Sequence, residues 1–369
     1  MSHPLFSPFQ LRSVTFANRI GVSPMCQYSS KDGFANDWHM VHLGSRAQGG
    51  PGLVMLEASA VVAEGRITPE DLGIYKDDHI PGLKRIVDFI HSQGVRAGIQ
   101  LAHAGRKASM SSPFAAEHVV ALSDGGWQPV APSPIAFAPH YATPRALDQQ
   151  GIDAIIDAFA KAAQRALTAG FDFVEIHAAH GYLLHEFLSP LSNQRSDAYG
   201  GGFDNRARLL SQVVDAVRAV WPAELPLFVR ISATDWAEGG WNIDEAVTLG
   251  GILRTHGVDL VDVSSGGLVP HAKIPVGPGF QAPFASRIRA EGAIPTAAVG
   301  MITDPHQANA LIAEGQADLV LLAREMLRDP YWPLHAAAAL GDSASWPAQY
   351  LRAAPQQSPV RVVIARAAK

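Results

Sequence analysis

The sequence predicts a single (β/α)8 barrel whose functional residues lie at the carboxyl ends of the strands. Eight short β-rich runs alternate with helical patterns along most of the 369 residues. In several of these runs, polar side chains occupy only one of the two alternating faces. The glycine-rich loops typical of doubly wound and Walker-type nucleotide-binding folds are absent from the sequence. A doubly wound open sheet is therefore the second choice.

The eight predicted strands share β-branched and aromatic content and are bounded by turn residues. They span residues 19–25, 52–59, 96–103, 171–178, 227–233, 260–266, 294–300 and 317–324. Most are followed by a segment with apolar residues at helical spacing. These segments span residues 78–93, 148–169, 205–220, 243–255, 305–313 and 325–340.

Polar and apolar residues alternate within the predicted strands. In the fourth strand, Val174 and Ile176 share one face, whereas Glu175 and His177 share the other. Three further strands carry polar residues on one face: Gln100, Arg230 and Asp262. A buried charge without a partner costs several kcal/mol, so these groups need partners inside the barrel. The pattern predicts a polar site within the barrel.

Two segments fall outside the alternation of strands and helices. Residues 1–18 carry apolar side chains around turn residues and are predicted to form a hairpin that plugs the barrel floor. Residues 108–147 form a long connection rich in Pro, Ser and Ala, which predicts a lid because long loops in compact domains are usually functional. Residues 1–354 are predicted as one domain, and 355–369 as a tail that is either an edge strand or a disordered remnant.

Composition restricts the class of protein. A net charge of −5 without a basic run gives no sign of nucleic-acid binding. No apolar run reaches the ~18 residues that a membrane span needs, and the first residues lack a secretory signal. The single cysteine, Cys26, excludes an internal disulfide and a multi-thiolate cluster. These features predict a cytoplasmic protein.

The end of the fourth strand carries the strongest chemical signal. His177 and His180 are followed by Gly181, which permits a sharp turn, and by Tyr182. Two imidazoles and a phenol there predict a site that binds a carbonyl oxygen and delivers a proton. Two buried histidines satisfied by the backbone are one alternative. A metal site is another, although this spacing supplies only two ligands and a catalytic zinc usually needs three.

Several motifs together resemble the Old Yellow Enzyme family of NADH:flavin oxidoreductases. They are Ser-Pro-Met-Cys-Gln-Tyr at 23–28, Gln-Leu-Ala-His-Ala-Gly-Arg-Lys at 100–107, His-Ala-Ala-His-Gly-Tyr-Leu-Leu-His-Glu-Phe-Leu-Ser-Pro at 177–190, Asn-Gln-Arg-Ser-Asp-Ala-Tyr-Gly-Gly at 193–201, Val-Gly-Met-Ile at 299–302 and Arg-Glu-Met-Leu-Arg-Asp-Pro at 324–330. The cysteine of the first motif is similar to that of the YqjM-like bacterial branch. The resemblance runs from about residue 4 to about residue 352.

The resemblance implies an FMN-bound barrel that reduces activated C=C bonds with NADPH or NADH. The expected substrates are enones, enals, maleimides and nitroalkenes, with hydride transferred from FMN N5 to the β-carbon. His177 and His180 would hold the activating group, and Tyr182 would protonate the α-carbon; the alternative for Tyr182 is an aromatic packed under the lid. Tyr28 is expected to contact substrate. The rival functions are a metal-dependent hydrolase using His177, His180 and Asp262, and a non-catalytic flavin-binding module.

The resemblance also implies a set of cofactor contacts. Arg230 is expected at the flavin N1–O2 edge, or else in an ion pair with Glu175 or Asp262, and Gln100 is expected at the pyrimidine edge. Cys26 is expected to tune the flavin potential. The first strands contribute further contacts, and the last two strands bind the phosphate. These residues are Ser23, Pro24, Met25, Ala58, Gly300, Met301, Ala323 and Arg324, with Ala323 standing where the family usually has glycine.

Three basic residues are expected near the mouth of the site. Arg106 and Lys107 follow the third strand and are interpreted either as a solvated basic pair or as contacts to the flavin or the nicotinamide phosphates. Arg352 matches a segment that, in the YqjM-like branch, enters the site of the neighbouring subunit. It would do so here in a homodimer or homotetramer, the alternative being a surface arginine.

Overall fold

The computed structural model describes residues 3–116, 118–355 and 360–362. Eight parallel strands form a closed barrel, which confirms the predicted fold. They are β1 Ile20–Val22, β2 Leu53–Ala60, β3 Arg96–Ala102, β4 Phe173–Ala178, β5 Leu227–Ser232, β6 Leu260–Ser264, β7 Thr296–Val299 and β8 Leu319–Leu322. Each strand pairs in parallel with the next one along the chain, and β8 pairs with β1 to close the barrel.

Ten helices are found within the described residues. They are α1 Asp37–Gln48, α2 Ile80–Ser92, α3 Gln149–Ala169, α4 Leu183–Leu188, α5 Phe203–Val220, α6 Ile243–Thr255, α7 Ala282–Glu291, α8 Pro305–Ala313, α9 Arg324–Arg328 and α10 Trp332–Leu340. Side-chain N-caps begin four of them, at Asn36, Asp148, Asn242 and Asp304. The helix expected over 325–340 is divided into α9 and α10, because Pro330 cannot continue a helix.

The outer faces of the strands pack against the helices. Val174 and Ile176 are fully buried in this layer, as the alternation predicted. The inner faces carry Glu175 and His177, whose side chains lie inside the barrel with those of the neighbouring strands. The polar site is thus built from inward-facing positions, and the apolar positions beside them fix strand orientation by burial.

The N-terminal segment forms the predicted hairpin and closes the barrel floor. Strands Phe9–Leu11 and Val14–Phe16 pair in antiparallel register. The Phe16 ring lies 5.8 Å from that of Phe173 and 6.3 Å from that of Phe228, measured between centroids. A side chain at Gly98 would approach the Phe173 ring to 2.1 Å, so only glycine leaves room for this ring. The plug excludes water from below the polar layer.

The 108–147 connection is tied to the rim at the carboxyl ends of the strands. Gln194 N–H donates to Ser133 Oγ at 2.9 Å, and Arg195 Nη1 donates to Leu147 O at 2.6 Å. The connection therefore covers the end of the barrel at which β4 delivers its histidines.

The tail pairs with the body of the domain over three residues. Backbone Val360–Val362 runs parallel to Ala344–Trp346, in agreement with the edge-strand alternative. The other predictions for the tail concern residues 356–359 and 363–369, which lie outside the described residues. Among the helices that the structure describes, none has the length and apolar character needed to cross a bilayer.

Candidate active site

The two histidines and the tyrosine meet at a tight turn after β4. His180 and Gly181 both have positive φ, 59° and 73°, and α4 begins directly after Tyr182. A side chain at Gly181 would approach Gly267 O to 2.3 Å, so the turn requires glycine. The His177 ring centroid lies 5.2 Å from that of His180 and 5.1 Å from that of Tyr182. The structure thus brings together all three predicted catalytic residues.

Both imidazoles are neutral near pH 7. Burial holds the pKa of His177 and that of His180 well below the usual range, and the Arg230 charge lowers both further. Ala179 N–H points at His177 Nδ1 at 3.3 Å, which leaves the His177 proton on Nε2. His177 therefore presents one N–H donor without carrying a charge.

His180 is held by a polar chain from β6 and α7. His180 Nε2 lies 2.7 Å from Ser264 Oγ, and the Ser264 hydroxyl donates to Gln281 Oε1 at 3.3 Å. Gln281 Nε2 donates to Val299 O at 2.8 Å, which fixes the orientation of the amide. Ser264 Oγ is thereby left to accept the His180 N–H. His180 must leave Ser264 to donate to a substrate, so that role stays a prediction.

Tyr182 is half-buried and lines two cavities. Burial raises the pKa of its phenol well above the usual value, so the group stays protonated. One cavity of about 410 Å³ opens beside Tyr28, Lys107 and Tyr182 under the lid. A much smaller one, of about 10 Å³, is lined by Tyr182 and Asp71. The larger cavity gives a small molecule access to the phenol.

A buried polar layer fills the barrel below the turn. Gln100 Nε2 donates to Glu175 Oε1 at 2.7 Å, Arg230 Nη1 donates to Ser23 Oγ at 3.2 Å, and Arg230 Nε lies 3.1 Å from Asp262 Oδ2. Asp262 is one of the two ion-pair partners that were expected for Arg230. Burial raises the pKa of Glu175 and of Asp262, and the Arg230 charge opposes both shifts.

Several atoms of this layer lack a hydrogen-bond partner within the described part of the chain. Glu175 Oε2 and Asp262 Oδ1 are buried and make no hydrogen bond, and Arg230 Nε and Asp262 Oδ2 contact each other as an ion pair without hydrogen-bond geometry. Such groups are costly unless something else satisfies them. A polar-edged ring such as the isoalloxazine of FMN would supply both donors and acceptors here.

The segment after β1 contributes the first-strand residues. Ser23, Pro24, Met25 and Cys26 follow Val22 directly, at the same end of the barrel as His177. Burial raises the pKa of the Cys26 thiol, and the Asp71 and Glu57 charges raise it further. The thiol stays protonated and is therefore a poor nucleophile. Ala58, 8% exposed, lies near the end of β2.

A third cavity, of about 270 Å³, lies beyond β7 and β8. Its lining includes Gly300, Met301, Ala323, Arg324 and Arg328. The Arg324 guanidinium and the backbone of the turn at Gly300 (φ 125°) and Met301 (φ 50°) give it donors that a phosphate needs, whereas Arg328 is paired with Glu325, which also lines the cavity. Ala323 has φ −102°, outside the left-handed region that favours glycine, so its φ does not require glycine there. The residues present fit FMN at both ends.

Arg106 and Lys107 are not a solvated basic pair, so that interpretation was wrong. Arg106 is 3% exposed, and its Nη2 donates to Leu268 O at 2.7 Å. Lys107 Nζ donates to His180 O at 2.8 Å and to Gly267 O. Burial lowers the pKa of Lys107 to about 7. Backbone carbonyls at the strand ends bind both side chains, so the pair braces the turn after β4.

Arg352 is exposed on the 3-10 segment Ala348–Ala353. Its placement in a neighbouring subunit stays a prediction. Within the described ranges, no group of three or more His, Cys, Asp or Glu side chains is arranged to hold a metal ion.

The sequence reasoning missed three buried residues around the turn: His185, Asp235 and Asp71. His185 and Glu186 interrupt the otherwise apolar α4, which was the only available signal that they are buried and paired. Asp235 follows β5 and lies 50 residues from His185, so nothing local in the sequence connects them.

Asp71 gives the stability of the protein a distinct pH dependence. Burial raises the pKa of Asp71 to about 7, although hydrogen bonds from Ile67 and Thr68 oppose the shift. Folded protein therefore retains a proton that unfolded protein releases from about pH 4 upward, so stability from this group is lost as the pH rises towards 7. We expect the free energy of unfolding of wild type, relative to Asp71→Asn, to fall by about 3 kcal/mol between pH 5 and pH 8. Urea unfolding at both pH values measures the difference, and parallel curves would contradict it.

Comparison with known proteins identifies strong similarity over nearly the whole chain. Residues 4–342 match the model of the NADH:flavin oxidoreductase / NADH oxidase family. NADPH dehydrogenase of Halalkalibacterium halodurans is 49% identical over 355 residues, 96% of this chain and 99% of that protein. Morphinone reductase superposes with a TM-score of 0.77 at 29% identity, covering 93% of this chain and 91% of that one. A 2-naphthoyl-CoA reductase complex superposes with a TM-score of 0.82 at 26% identity, and this chain covers 52% of its length.

Proposed function

The chain belongs to the NADH:flavin oxidoreductase / NADH oxidase family, and we propose that within it the protein reduces the C=C bond of α,β-unsaturated carbonyl compounds and related activated alkenes. It is a flavin-dependent oxidoreductase of the NADPH dehydrogenase type, with FMN as cofactor and NAD(P)H as reductant. The observation that carries the proposal is the cluster of two neutral imidazoles and a protonated phenol beside an accessible cavity. This cluster is suited to polarising a carbonyl group and protonating the neighbouring carbon.

FMN, when bound and reduced by NADPH, supplies the hydride that is added to the β-carbon of the alkene. Negative charge then develops on the oxygen of the activating group. His177 Nε2–H donates to that oxygen, and His180 joins it once released from Ser264. Donors held in place before the reaction stabilise the developing charge more than they stabilise the substrate. Tyr182 donates its proton to the α-carbon and completes the addition.

The chain holds the cofactor with residues from both ends of the polar layer. Arg230 and Gln100 would bind the polar edge of the flavin ring, with Ser23, Pro24, Met25 and Ala58 beside it. Gly300, Met301, Ala323 and Arg324 would hold the phosphate in the 270 Å³ cavity. Tyr28 lines the larger cavity and would contact substrate.

Cys26→Ala is expected to shift the midpoint potential of bound FMN while activity is retained. The Cys26 thiol is protonated and takes no part in proton transfer, so its contribution is limited to the polarity near the flavin. A spectroelectrochemical titration of both proteins measures the shift. Complete inactivation with flavin still bound would contradict this role.

The proposal extends to the assembly. The domain of residues 1–354 would form a homodimer or homotetramer in which Arg352 enters the site of the neighbouring subunit, and the exposure of the Arg352 side chain is in keeping with this. A cytoplasmic location is in keeping with the single free thiol, Cys26.

The function is tested by visible spectroscopy of the purified protein. We expect a yellow protein that bleaches with NADPH in the absence of oxygen and recovers its colour on addition of 2-cyclohexen-1-one. Colourless protein with stoichiometric zinc would instead favour a metal-dependent hydrolase. Yellow protein that bleaches but does not recover with enone, maleimide or nitroalkene would favour a flavin-binding module.

A further inference from the structure

A fully buried histidine–aspartate pair lies behind the catalytic turn. Gly181 N–H donates to His185 Nδ1 at 2.9 Å, and His185 Nε2 lies 3.0 Å from Asp235 Oδ1 in a charge contact whose angle falls outside hydrogen-bond geometry. Both side chains are 0% exposed. Neither residue has a part in hydride or proton transfer, and neither lines the substrate cavity. The pair instead contacts the backbone between His180 and Tyr182.

Hydrogen bonding fixes the proton of His185 on one nitrogen. Because Nδ1 accepts the Gly181 N–H, the proton of the imidazole is on Nε2, facing Asp235. Asp235 is ionised: burial raises its pKa, but His185 and hydrogen bonds from Ser189 and Trp241 outweigh this and lower the pKa. The carboxylate thus selects the tautomer that the turn requires.

The turn needs such support because its backbone is strained. A non-glycine residue at positive φ, such as His180 (φ 59°), is strained because its Cβ comes too close to the following carbonyl oxygen. Three contacts hold it: Ser232 Oγ accepts the His180 N–H at 2.9 Å, Lys107 Nζ donates to His180 O at 2.8 Å, and His185 accepts the Gly181 N–H. The last two hold the His180–Gly181 peptide from opposite sides, Lys107 at its C=O and His185 at its N–H.

We propose that the His185–Asp235 pair is a positioning device for the reaction: Asp235 keeps the His185 proton on Nε2, and the bare Nδ1 fixes Gly181 and with it the relative placement of His180 and Tyr182. The expected effect on the rate of alkene reduction rests on the proposed function, whereas the position of the His185 proton does not depend on it.

Asp235→Asn reverses the tautomer without changing the shape of the side chain. Asp235 Oδ2 accepts from Trp241 N–H at 2.8 Å and from Ser189 Oγ at 2.6 Å, so the amide oxygen of the variant stays there. The amide NH2 then faces His185 Nε2, and the imidazole proton moves to Nδ1, against the Gly181 N–H. We expect reoxidation of the NADPH-reduced holoenzyme by 2-cyclohexen-1-one to slow by about 10–100-fold.

Substitutions of His185 separate positioning from simple packing. In His185→Asn, the amide oxygen is bonded to Cγ and can accept the Gly181 N–H where Nδ1 did. In His185→Gln, the amide oxygen lies one carbon further along the side chain. We therefore expect His185→Asn to retain a faster alkene reaction than His185→Gln. The double variant Asp235→Asn/His185→Asn should be faster than Asp235→Asn alone, because its acceptor does not depend on a tautomer. A purely structural pair would make the double variant the slowest.

A second histidine provides a matched control. His39 Nδ1 accepts the Asn36 N–H at the start of α1 at 3.1 Å, and its Nε2 lies 3.4 Å from Glu57 Oε1. His39→Asn removes a similar buried pair from another helix. It should lower thermal stability comparably while its alkene reaction remains faster than that of Asp235→Asn.

The tautomer is read independently of activity from the ring ¹⁵N signals of histidine-labelled holoenzyme. We expect the His185 proton on Nε2 in wild type and on Nδ1 in Asp235→Asn. An unchanged tautomer with a wild-type rate, or a double variant no faster than Asp235→Asn, would overturn the proposal. If wild type reduces no activated alkene, the proposed function fails, and the ¹⁵N signals then decide the tautomer claim. If Asp235→Asn does not fold, equal rates for His185→Asn and His185→Gln would overturn it.

Discussion

Tyr182→Phe will slow the reduction of 2-cyclohexen-1-one by about 10²–10⁴-fold, the usual contribution of a positioned general acid. The ring and its packing against His177 are preserved, so the variant loses only the phenolic hydroxyl group and the proton that it donates. Reduction of FMN by NADPH involves no proton transfer from Tyr182, so the rate of this half-reaction should change by less than about threefold. Stopped-flow absorbance measures the two half-reactions separately.

The matched control is Tyr199→Phe. Tyr199 is 5% exposed, and its hydroxyl donates to Gln212 Oε1 at 3.0 Å, so this change also removes a buried phenol. Both half-reactions of the control should keep the wild-type rate. Equal slowing of both half-reactions in Tyr182→Phe would show that the phenol acts through structure and not as the acid.

Arg230→Met will have the largest effect on stability and on cofactor retention. The guanidinium compensates Asp262 and donates to Ser23 inside the barrel. Removing one member of a buried ion pair typically costs about 3–5 kcal/mol, because the other charge is left uncompensated. Chemical denaturation measures the loss, and flavin absorbance after gel filtration measures cofactor retention. The loss should be smaller at low pH, where Asp262 and Glu175 take up protons and no longer need a cation.

A second substitution separates the two roles of Arg230. Arg230→Met/Asp262→Asn removes the uncompensated charge and should recover part of the lost stability. Flavin retention should stay low, because the cation expected at the flavin edge is still missing. If the double variant regains both stability and flavin, Arg230 serves only its ion pair with Asp262.

Much of the barrel was predictable because strand alternation reports burial directly. Glu175 and His177 faced the interior as expected, and the hairpin ending at Phe16 closed the floor. Helix α1 was missed because its buried face is not continuously apolar. In α1, the buried positions include His39, His42 and Arg46, which dilute the helical pattern.

The site was predictable where it lies on one continuous stretch. His177, His180 and Tyr182 stand on a single strand end and its turn. The supporting contacts were not predictable, since they join distant segments: Asp235 lies 50 residues from His185 in the chain. Lys107 was predicted to be either solvated or in contact with the flavin or the nicotinamide phosphates, and its burial against the backbone was not foreseen because lysine is rarely buried. Here, two backbone carbonyls replace the water around its ammonium group.

The identity of the reduced bond tests the central claim most directly. One equivalent of 2-cyclohexen-1-one is added without oxygen to NADPH-reduced enzyme, and the organic product is quantified by gas chromatography. Binding of the carbonyl oxygen by His177 and protonation by Tyr182 predict cyclohexanone in an amount equal to the reduced flavin. Formation of 2-cyclohexen-1-ol, or recovery of unreacted enone beside flavin that remains reduced, would contradict the account.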